Sequence, residues 1–472
     1  MNDISRNIKL VLAVFLLCFI GLISYITYFQ IFKSDQLVKS PYNRRIQAKR
    51  NEVLRGTIYD RNMKALTESK RKNTLNQKRT YTGGEAFAHV LGYVHPQYGI
   101  TGLEKEYDSV LTGTDTMDFK KFLTSMKEQP KLGYNIRTTL DYKVQQKAFE
   151  LLGDNKGSVV VLNPKSGEVL AMVSKPSFDP NNLQENWKKI NSDKNIPLYN
   201  RAILGLYPPG STFKVVTTVS ALDNIKNVAN RTFEDNGALV FNSKQSLKNY
   251  NGHVYGSLDL EGALVKSSNV VFGGLGIELG NSSLRGTAEK FCFNNVIPSD
   301  GFLAKKSKFP TLKSYEKGNL AQSAIGQGEV LASPIQMALV ASTIANDGVL
   351  MKPHLVSEVL NPSGDSLKKI KDEVINTVTT SEHAKLVKKY MKDTVSQGTA
   401  GGAALDSVAV CGKTGTADTG KVGEKPHSWF IGFAPYENPK VAVAVIVENG
   451  GVGGGISTEI AGKVISEALR EK

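Results

Sequence analysis

Three short groups of potentially reactive side chains occur in order along the chain. They are the motifs Ser211–Lys214 (S-T-F-K), Ser267–Asn269 (S-S-N) and Lys413–Thr416 (K-T-G-T). Each motif alone is weak evidence, because a buried segment with an incidental serine, a helix cap and an ordinary strand end would contain the same residues. Together they supply a hydroxyl, two amines and a polar turn, which are the groups that nucleophilic attack on a carbonyl carbon requires.

The first motif places a nucleophile beside a base. Ser211 follows the turn Tyr207–Gly210, after which a helix can begin. Residues three apart share a helix face, so Ser211 is predicted to face the amine of Lys214. Serine is a weak nucleophile without a base, and a buried lysine near another cation can be neutral and take the proton. The run Phe213–Val219 leaves a strand open as an alternative, because it is rich in β-branched residues.

The second motif offers polar groups for proton transfer and for binding. It follows an apolar segment and is predicted to lie at a junction between a helix and a loop. The Ser267 hydroxyl can relay a proton between Lys214 and a leaving amine, and the Asn269 amide can hold a backbone group of a peptide. A helix cap is the alternative for these residues taken alone.

The third motif ends a predicted strand. Lys413 is predicted to offer a positive charge to a substrate carboxylate. Thr414 and Gly415 are predicted to line a strand edge to which an extended peptide can add. The backbone N–H groups of Thr416 and Ser211 are predicted to form an oxyanion hole, in which each donor is typically worth about 3–4 kcal/mol. The three motifs together predict acyl transfer through Ser211.

The hydrophobic pattern predicts an α+β support for these side chains. Strands are predicted at both ends of the region that follows residue 135, with a mainly helical segment between them. The turn Pro164–Gly167 makes a hairpin of the first two strands, which implies antiparallel pairing. We therefore expect one antiparallel sheet packed against helices. The predicted strands are Gly157–Asn163, Glu168–Ser174, Val408–Thr416, Trp429–Ala434 and Val441–Glu448, and the flanking helices are Asp141–Leu152 and Thr458–Leu469.

An apolar segment near the N-terminus is predicted to cross a membrane. Leu10–Phe32 contains no Asp, Glu, Lys, Arg or His, and as a helix it would measure about 35 Å, enough for a hydrocarbon core of about 30 Å. Its length and its aromatic end favour a single uncleaved anchor over a signal peptide. The predicted order is a cytoplasmic tail (1–9), the transmembrane helix (10–32), a small irregular pedestal (33–135) with a bare polar stretch at Thr67–Thr82, and an extracytoplasmic catalytic domain (136–472).

The composition excludes several other functions. The chain has 59 Lys and Arg against 44 Asp and Glu, a net charge of +15, but the basic residues are spread along it without a nucleic-acid-binding motif. We therefore predict a solvated basic surface and no nucleic-acid partner. The three cysteines and six histidines show no spacing typical of metal ligands, so no metal site is predicted. The chemistry of the three motifs needs no cofactor.

Over nearly its whole length the chain resembles the class B penicillin-binding proteins, most closely their short PbpA-type members. Beyond the three motifs, the resemblance rests on Arg55–Asn62, His89–Tyr93, Gly102–Asp108, Gly326–Gly328, Ser333–Gln336 and Trp429–Gly432. Met63 departs from the pattern, since the family usually has glycine there.

The resemblance implies a fold, a reaction and partners. The fold is a penicillin-binding transpeptidase domain with a five-stranded antiparallel sheet flanked by helices. The reaction is cross-linking of peptidoglycan stem peptides, in which the penultimate D-Ala acylates the serine and the terminal D-Ala leaves. β-Lactam antibiotics would acylate the same serine. The resemblance also implies attachment to the bacterial cytoplasmic membrane and a polytopic membrane glycosyltransferase of the division and rod-shape type as a partner.

Two other classes of protein share the three motifs. A class A serine β-lactamase activates a deacylating water with the glutamate of a Glu-x-x-x-Asn loop, and no such spacing occurs between Asn269 and Lys413. A β-lactam sensor carries several membrane spans before its sensor domain, whereas one span is predicted here. Both classes therefore fit the sequence less well than a transpeptidase does.

Overall fold

The N-terminal segment forms a long helix, α1 (Asn2–Tyr28), which continues as a π-helical turn at Phe29–Lys33. The computed structural model describes residues 2–33, 52–73, 76–114, 132–421 and 423–470. The stretch Arg6–Lys33 is long and apolar enough to cross a membrane, and none of its apolar window is buried in the described protein. A helix that is apolar on every side and exposed needs an apolar medium, which is consistent with the membrane anchor predicted at Leu10–Phe32.

The described part of the pedestal consists of short elements. They are strands β1 (Ile58–Tyr59), β2 (Glu68–Asn73), β3 (Asn76–Thr80), β4 (Val94–His95) and β5 (Gly99–Ile100), and helices α2 (Ala88–Leu91), α3 (Gly102–Glu106) and α4 (Asp108–Leu111). The reading of Thr67–Thr82 as a bare polar stretch was wrong, because β2 and β3 pair as an antiparallel hairpin. The hairpin has no apolar alternation, so hydrophobic periodicity could not reveal it.

A buried ion-pair network lies beside this hairpin, next to an apolar core that includes Ile58, Leu66 and Leu103. Glu104 is completely buried and binds Arg55 Nε at 2.5 Å and Arg79 Nε at 2.8 Å. Burial opposes ionisation of Glu104, but the two guanidinium groups together lower its pKa below the ordinary value. A buried carboxylate with two such partners is satisfied, so polar residues can organise the pedestal.

A second sheet joins the pedestal to the catalytic domain. Its strand order is β1, β6 (Asn135–Thr138), β14 (Val356–Leu360) and β15 (Ser366–Lys369). β6 pairs in parallel with β1 of the pedestal and antiparallel with β14 of the catalytic domain. The domain boundary predicted between residues 135 and 136 therefore falls inside a strand that both parts share.

Met63 occupies the turn at the position where the resemblance leads one to expect glycine. Its φ is 63°, in the left-handed region that glycine adopts without strain. The carboxylate of Asp60 accepts hydrogen bonds from the backbone N–H groups of Asn62 and Lys64 at 2.8 and 2.7 Å. These bonds hold the turn, so its shape is kept although the glycine is absent.

A five-stranded antiparallel sheet forms the centre of the catalytic domain, as predicted. In spatial order its strands are β17 (Cys411–Ala417), β18 (His427–Ala434), β19 (Val441–Val447), β7 (Gly157–Leu162) and β8 (Val169–Lys175). β17 begins at Cys411 rather than at Val408. It lies at an edge of this sheet, so the third motif lies along one outer side.

Helices cover both faces of this sheet. Helices α5 (Tyr142–Leu152) and α14 (Ile456–Arg470) pack on one face, and α12 (Pro334–Ala345) packs on the other. Successive residues of β19 join different cores: Val445 belongs to one and Ile446 to the other. A strand buried on both faces is apolar at every position, which explains the continuous apolar runs in the sequence.

The segment between β8 and β17 is mainly helical, as predicted, and carries the first two motifs. Its remaining helices are α6 (Leu183–Ser192), α7 (Arg201–Leu204), α8 (Lys214–Asn224), α9 (Leu260–Val265), α10 (Asn269–Lys290), α11 (Lys317–Ala324) and α13 (Ser381–Gln397). Short strands interrupt them: β9 (Phe233–Asp235), β10 (Ala238–Asn242), β11 (Gln245–Lys248), β12 (Gly256–Leu258), β13 (Val349–Met351) and β16 (Val374–Thr377).

Candidate active site

The first motif lies where a 3₁₀ turn, Gly210–Phe213, runs into helix α8. Every residue of α8 from Lys214 to Leu222 is buried, so the β-branched run forms a fully enclosed helix rather than a strand. Tertiary packing here overrides local propensity. Ser211 remains partly exposed while Lys214 is completely buried, so the hydroxyl is accessible and the amine is shielded from water.

The 3₁₀ turn lies directly against the third motif and the segment Gly326–Gly328. Gly210 donates its N–H to the Gly326 carbonyl oxygen at 2.9 Å. A Cβ at Gly210 would lie only 2.6 Å from the Thr416 carbonyl oxygen, and a Cβ at Gly415 would lie 2.8 Å from the Pro209 carbonyl oxygen. The absence of side chains at these glycines therefore brings the backbones around Ser211 and Thr416 together.

The second motif forms the predicted junction, between helices α9 and α10. Ser268 caps α10, because its Oγ accepts a hydrogen bond from the Val271 N–H at 3.0 Å. The alternative interpretation of the second motif as a helix cap is therefore confirmed for Ser268 alone. Ser267, whose φ is 58°, places its Oγ between the two lysines: Lys214 Nζ lies at 3.2 Å and Lys413 Nζ at 2.9 Å. One hydroxyl thus connects the first and third motifs.

Two further acceptors fix the Lys214 amine. Its Nζ donates to the Ser267 carbonyl oxygen and to Asn269 Oδ1, both at 2.7 Å. Asn269 Nδ2 in turn donates to the Lys248 carbonyl oxygen at 2.8 Å. The Asn269 amide therefore has partners within the protein, and one of its two N–H groups is left for a substrate.

Lys413 is completely buried on the edge strand β17. Besides Ser267 Oγ, its Nζ contacts the Thr414 carbonyl oxygen at 3.1 Å. The hydroxyls at this strand are also held: Thr414 Oγ1 lies 2.8 Å from Thr399 Oγ1, and Thr416 Oγ1 accepts from the Gly453 N–H at 3.0 Å. The outer side of β17 is unpaired in the described sheet, and an extended peptide can bind there.

Burial lowers the pKa of both lysines, and repulsion by Lys413 lowers the pKa of Lys214 further. For Lys214, burial has the largest effect and the charge of Lys413 adds to it, while Asp235 acts in the opposite direction; the pKa falls well below its ordinary value. Burial lowers the pKa of Lys413 to about 7. Lys214 is therefore suited to accept a proton, and Lys413 retains its charge in part of the molecules at neutral pH.

The comparisons with known proteins agree with this geometry. Residues 157–466 match the family model described as the penicillin binding protein transpeptidase domain, a region that contains all three motifs. The chain belongs to the penicillin-binding protein family. Residues 55–136 of this penicillin-binding protein match a second model, described as the penicillin binding protein A dimerisation domain.

Named relatives cover the whole length of this penicillin-binding protein. It is 34% identical to the peptidoglycan D,D-transpeptidase PbpA of Mycolicibacterium smegmatis over 100% of both chains. It is 33% identical to PbpA of Mycobacterium tuberculosis over 93% of this chain and 94% of the relative. Its structure is similar to that of M. tuberculosis penicillin-binding protein A in a ceftriaxone acyl-enzyme complex, with a TM-score of 0.83 and 31% identity, covering 89% of this chain and 100% of that chain.

Several residues that contact the motifs were not predicted from the sequence. Asp235 and Asn249 bind the second motif, and Gly453 packs against Gly415. These residues are remote in sequence from the motifs they contact, so motif spacing could not find them. The sequence at Asp235 offers only an Asp-Asn-Gly tripeptide, which predicts a turn and does not indicate an active-site residue.

Replacing Lys413 with alanine should slow acylation by β-lactams that carry a carboxylate about 10- to 100-fold, because a charge-assisted hydrogen bond is lost. In the wild-type protein, acylation by the same ligands should fall as the pH rises through about 7, where free Lys413 loses its proton. Second-order acylation rate constants measure both effects. Analogues without the carboxylate are the control, and an equal loss for both ligand types would show that Lys413 instead holds the site together.

Proposed function

We propose that this penicillin-binding protein is a peptidoglycan D,D-transpeptidase that acts through an ester on Ser211. The observation that carries the proposal is the pair of buried lysines that share Ser267 Oγ. Lys214, one helical turn from Ser211, supplies a base, and Lys413 on the edge strand supplies a charge for a carboxylate. The family and the activity named for its full-length relatives support the same reaction.

Acylation begins when Ser211 Oγ attacks the carbonyl carbon of the penultimate D-Ala and neutral Lys214 takes the hydroxyl proton. The backbone N–H groups of Ser211 and Thr416 stabilise the oxyanion of the tetrahedral intermediate. The C–N bond to the terminal D-Ala then breaks, the leaving amine takes a proton from Ser267 Oγ, and protonated Lys214 returns a proton to Ser267 Oγ, 3.2 Å away, so that Lys214 is neutral again. The donor peptide remains as an ester on Ser211.

Transfer reverses these roles. An amine of a neighbouring stem peptide attacks the ester carbonyl and gives its proton to Lys214, which passes it to Ser211 Oγ as the ester C–O bond breaks. The product is a new amide cross-link. A β-lactam enters the same first step, but its leaving nitrogen stays attached to the acyl group, so it remains in the cleft and the ester persists.

The cleft offers binding groups for an extended peptide. Lys413 pairs with the terminal carboxylate, the edge of β17 at Thr414 and Gly415 accepts the peptide backbone, and the free N–H of the Asn269 amide contacts a substrate carbonyl oxygen. The arrangement adds a strand to the sheet, which fixes the position of the reacting carbonyl relative to Ser211.

The central test is covalent labelling of the full-length protein with fluorescent penicillin. One label per chain is expected on Ser211, and Ser211→Ala should remove it, because the nucleophile is gone. Peptide mass mapping gives the modified residue, and Thr212→Ser, which changes the neighbouring side chain, is the control. An adduct on another residue, or undiminished labelling of Ser211→Ala, would overturn the assignment.

The orientation follows from the reaction, because stem peptides are cross-linked outside the cytoplasmic membrane. We place residues 1–9 in the cytoplasm, residues 10–32 across the membrane in one pass, and the catalytic domain outside. The basic residues Arg6 and Lys9 before the apolar stretch favour this orientation. A membrane-impermeant fluorescent penicillin should label intact spheroplasts, and labelling only after lysis would place the domain inside.

The partner we propose is a polytopic membrane glycosyltransferase of the division and rod-shape type. Cross-linking needs a nascent glycan strand nearby, and the matched regions of this chain are described as a dimerisation and a transpeptidase domain. The contact should involve the apolar helix at Leu10–Phe32 and the pedestal near Arg55–Asn62. Exchange of the helix for an unrelated single-pass anchor should abolish co-purification and growth at normal expression. Retention of both would show that the helix is only a tether.

A further inference from the structure

A buried carboxylate lies behind the second motif. Asp235, at the end of β9, is completely buried. It accepts hydrogen bonds from Ser268 Oγ at 2.5 Å, from Asn249 Nδ2 at 2.7 and 2.9 Å, and from the Gly237 N–H at 2.9 Å. All of these donors are neutral. Burying a carboxylate without a cation in contact is costly. The groups that donate hydrogen bonds to Asp235 are therefore expected to need a strong acceptor that holds them in place.

One of these donors, Asn249, is itself fixed to helix α10. Its side chain is buried, and its Oδ1 accepts hydrogen bonds from the N–H groups of Asn269 and Val270 at 2.8 and 3.2 Å. Its Nδ2 also donates to the His253 carbonyl oxygen at 2.8 Å. A carboxylate can only accept hydrogen bonds, so Asp235 forces the Asn249 amide nitrogen toward itself and the amide oxygen toward the helix.

The Ser267–Asn269 turn carries the groups that hold the Lys214 amine. Behind it, Asp235 binds Ser268 Oγ and Asn249 binds the Asn269 N–H. In front of it, the Ser267 carbonyl oxygen and Asn269 Oδ1 each lie 2.7 Å from Lys214 Nζ. Ser267 has a positive φ of 58°, a conformation that a residue with a side chain adopts only when its surroundings enforce it.

We propose that Asp235 and Asn249 are positioning residues of acyl transfer, a buried clamp that holds the Ser267–Asn269 turn against the Lys214 amine. Neither residue contacts the reacting atoms. The clamp acts by fixing three acceptors of Lys214 and, through them, the direction of the amine relative to Ser211. This inference rests on the proposed function, because it assigns the clamp to the same Ser211 ester.

The charge of Asp235 has a second effect on the base. Burial and Lys413 lower the pKa of Lys214, and Asp235 raises it. These two groups, Lys413 from β17 and Asp235 from β9, are the charges that act on the Lys214 amine within the described structure. Loss of the carboxylate therefore lowers the pKa of Lys214 further, and the low-pH limb of the acylation profile, where Lys214 becomes protonated, moves to lower pH.

The test is the second-order rate constant for acylation of the full-length protein by fluorescent penicillin, measured across pH. Asp235→Asn should slow acylation by about 10²-fold at neutral pH, as expected for misplaced catalytic groups, and should shift the low-pH limb downward. Asn249→Asp should slow it at least as much, because two carboxylates then meet. The double variant Asp235→Asn/Asn249→Asp restores a donor facing an acceptor between residues 235 and 249, although the His253 carbonyl oxygen loses its donor, and it should be acylated faster than Asn249→Asp.

Asp259→Asn is the matched control, because Asp259 is a neighbouring carboxylate that caps α9 through the Gly262 N–H and does not touch the clamp. Its acylation rate and pH profile should equal those of wild type. Equal rates and an unshifted limb in Asp235→Asn would overturn the inference. The inference would also be overturned if the variants lose acylation rate only in proportion to their loss of thermal stability, if the low-pH limb does not shift, and if the double variant does not recover. Failure of the wild-type protein itself to label would instead overturn the proposed function.

Discussion

Replacing Lys214 with methionine is expected to slow acylation by fluorescent penicillin by about 10³-fold or more, because a general base contributes about 10²–10⁴-fold and an unactivated serine is a poor nucleophile. Methionine fills much of the buried space of the lysine side chain without an amine. The wild-type rate should fall as the pH is lowered through the depressed pKa of Lys214, since the protonated amine cannot accept a proton. The residual rate of the variant should lack this limb.

Thermal unfolding separates loss of chemistry from loss of fold in this experiment. Removing the amine leaves the Ser267 carbonyl oxygen and Asn269 Oδ1 without their donor, which costs about 1–3 kcal/mol for each buried acceptor, so some destabilisation is expected. A variant that remains folded and is acylated within tenfold of the wild-type rate would show that another group is the base.

Replacing Gly326 with alanine is expected to slow acylation by at least about 10²-fold, although Gly326 belongs to none of the three motifs. A Cβ there would lie 2.3 Å from the Gly210 carbonyl oxygen and 2.6 Å from Phe213 Cβ, far inside van der Waals contact. Both atoms belong to the 3₁₀ turn that carries Ser211. The turn must move away from Gly326, and it then loses its position relative to Thr416.

The neighbouring glycine provides a matched control for this substitution. Gly326 and Gly328 both have positive φ, 72° and 66°, so alanine at either position costs about 1–2 kcal/mol of backbone strain. A Cβ at Gly328 would meet only Gln322 Cβ, at an ordinary contact distance of 3.7 Å. Gly328→Ala should therefore keep most of its acylation rate. Equal loss in the two variants would show that strain, and not displacement of the Ser211 turn, is responsible.

The central sheet was predictable because its strands carry a local signal. Strands buried on both faces must be apolar at every position, and the runs at 157–162 and 441–447 show this without any knowledge of their partners. The antiparallel pairing of β7 with β8 followed from the short turn between them. That both ends of the domain form one sheet was inferred from economy of packing, but the pairing of β7 with β19, which joins those ends, was not predicted.

The pedestal was less predictable for a physical reason. Its polar hairpin depends on hydrogen bonds and ion pairs, such as that of Arg79 with Glu104, and these leave no periodicity in the sequence. A polar hairpin and a polar loop have the same composition. The prediction of a bare polar stretch at Thr67–Thr82 therefore missed the hairpin, because partners remote in sequence supply the stabilising contacts.

The sequence by itself determined which side chains can carry out the chemistry, because S-T-F-K, S-S-N and K-T-G-T contain the hydroxyls and amines that acyl transfer needs. Only the tertiary structure decided which of the two lysine amines acts as a base and which as a cation. Burial lowers the pKa of Lys214 and Lys413, and a lysine is a base or a cation according to how much water surrounds it. Short motifs record residue types, whereas desolvation, the contact of Gly326 with the Ser211 turn and the clamp of Asp235 on Asn249 depend on distances between segments remote in sequence.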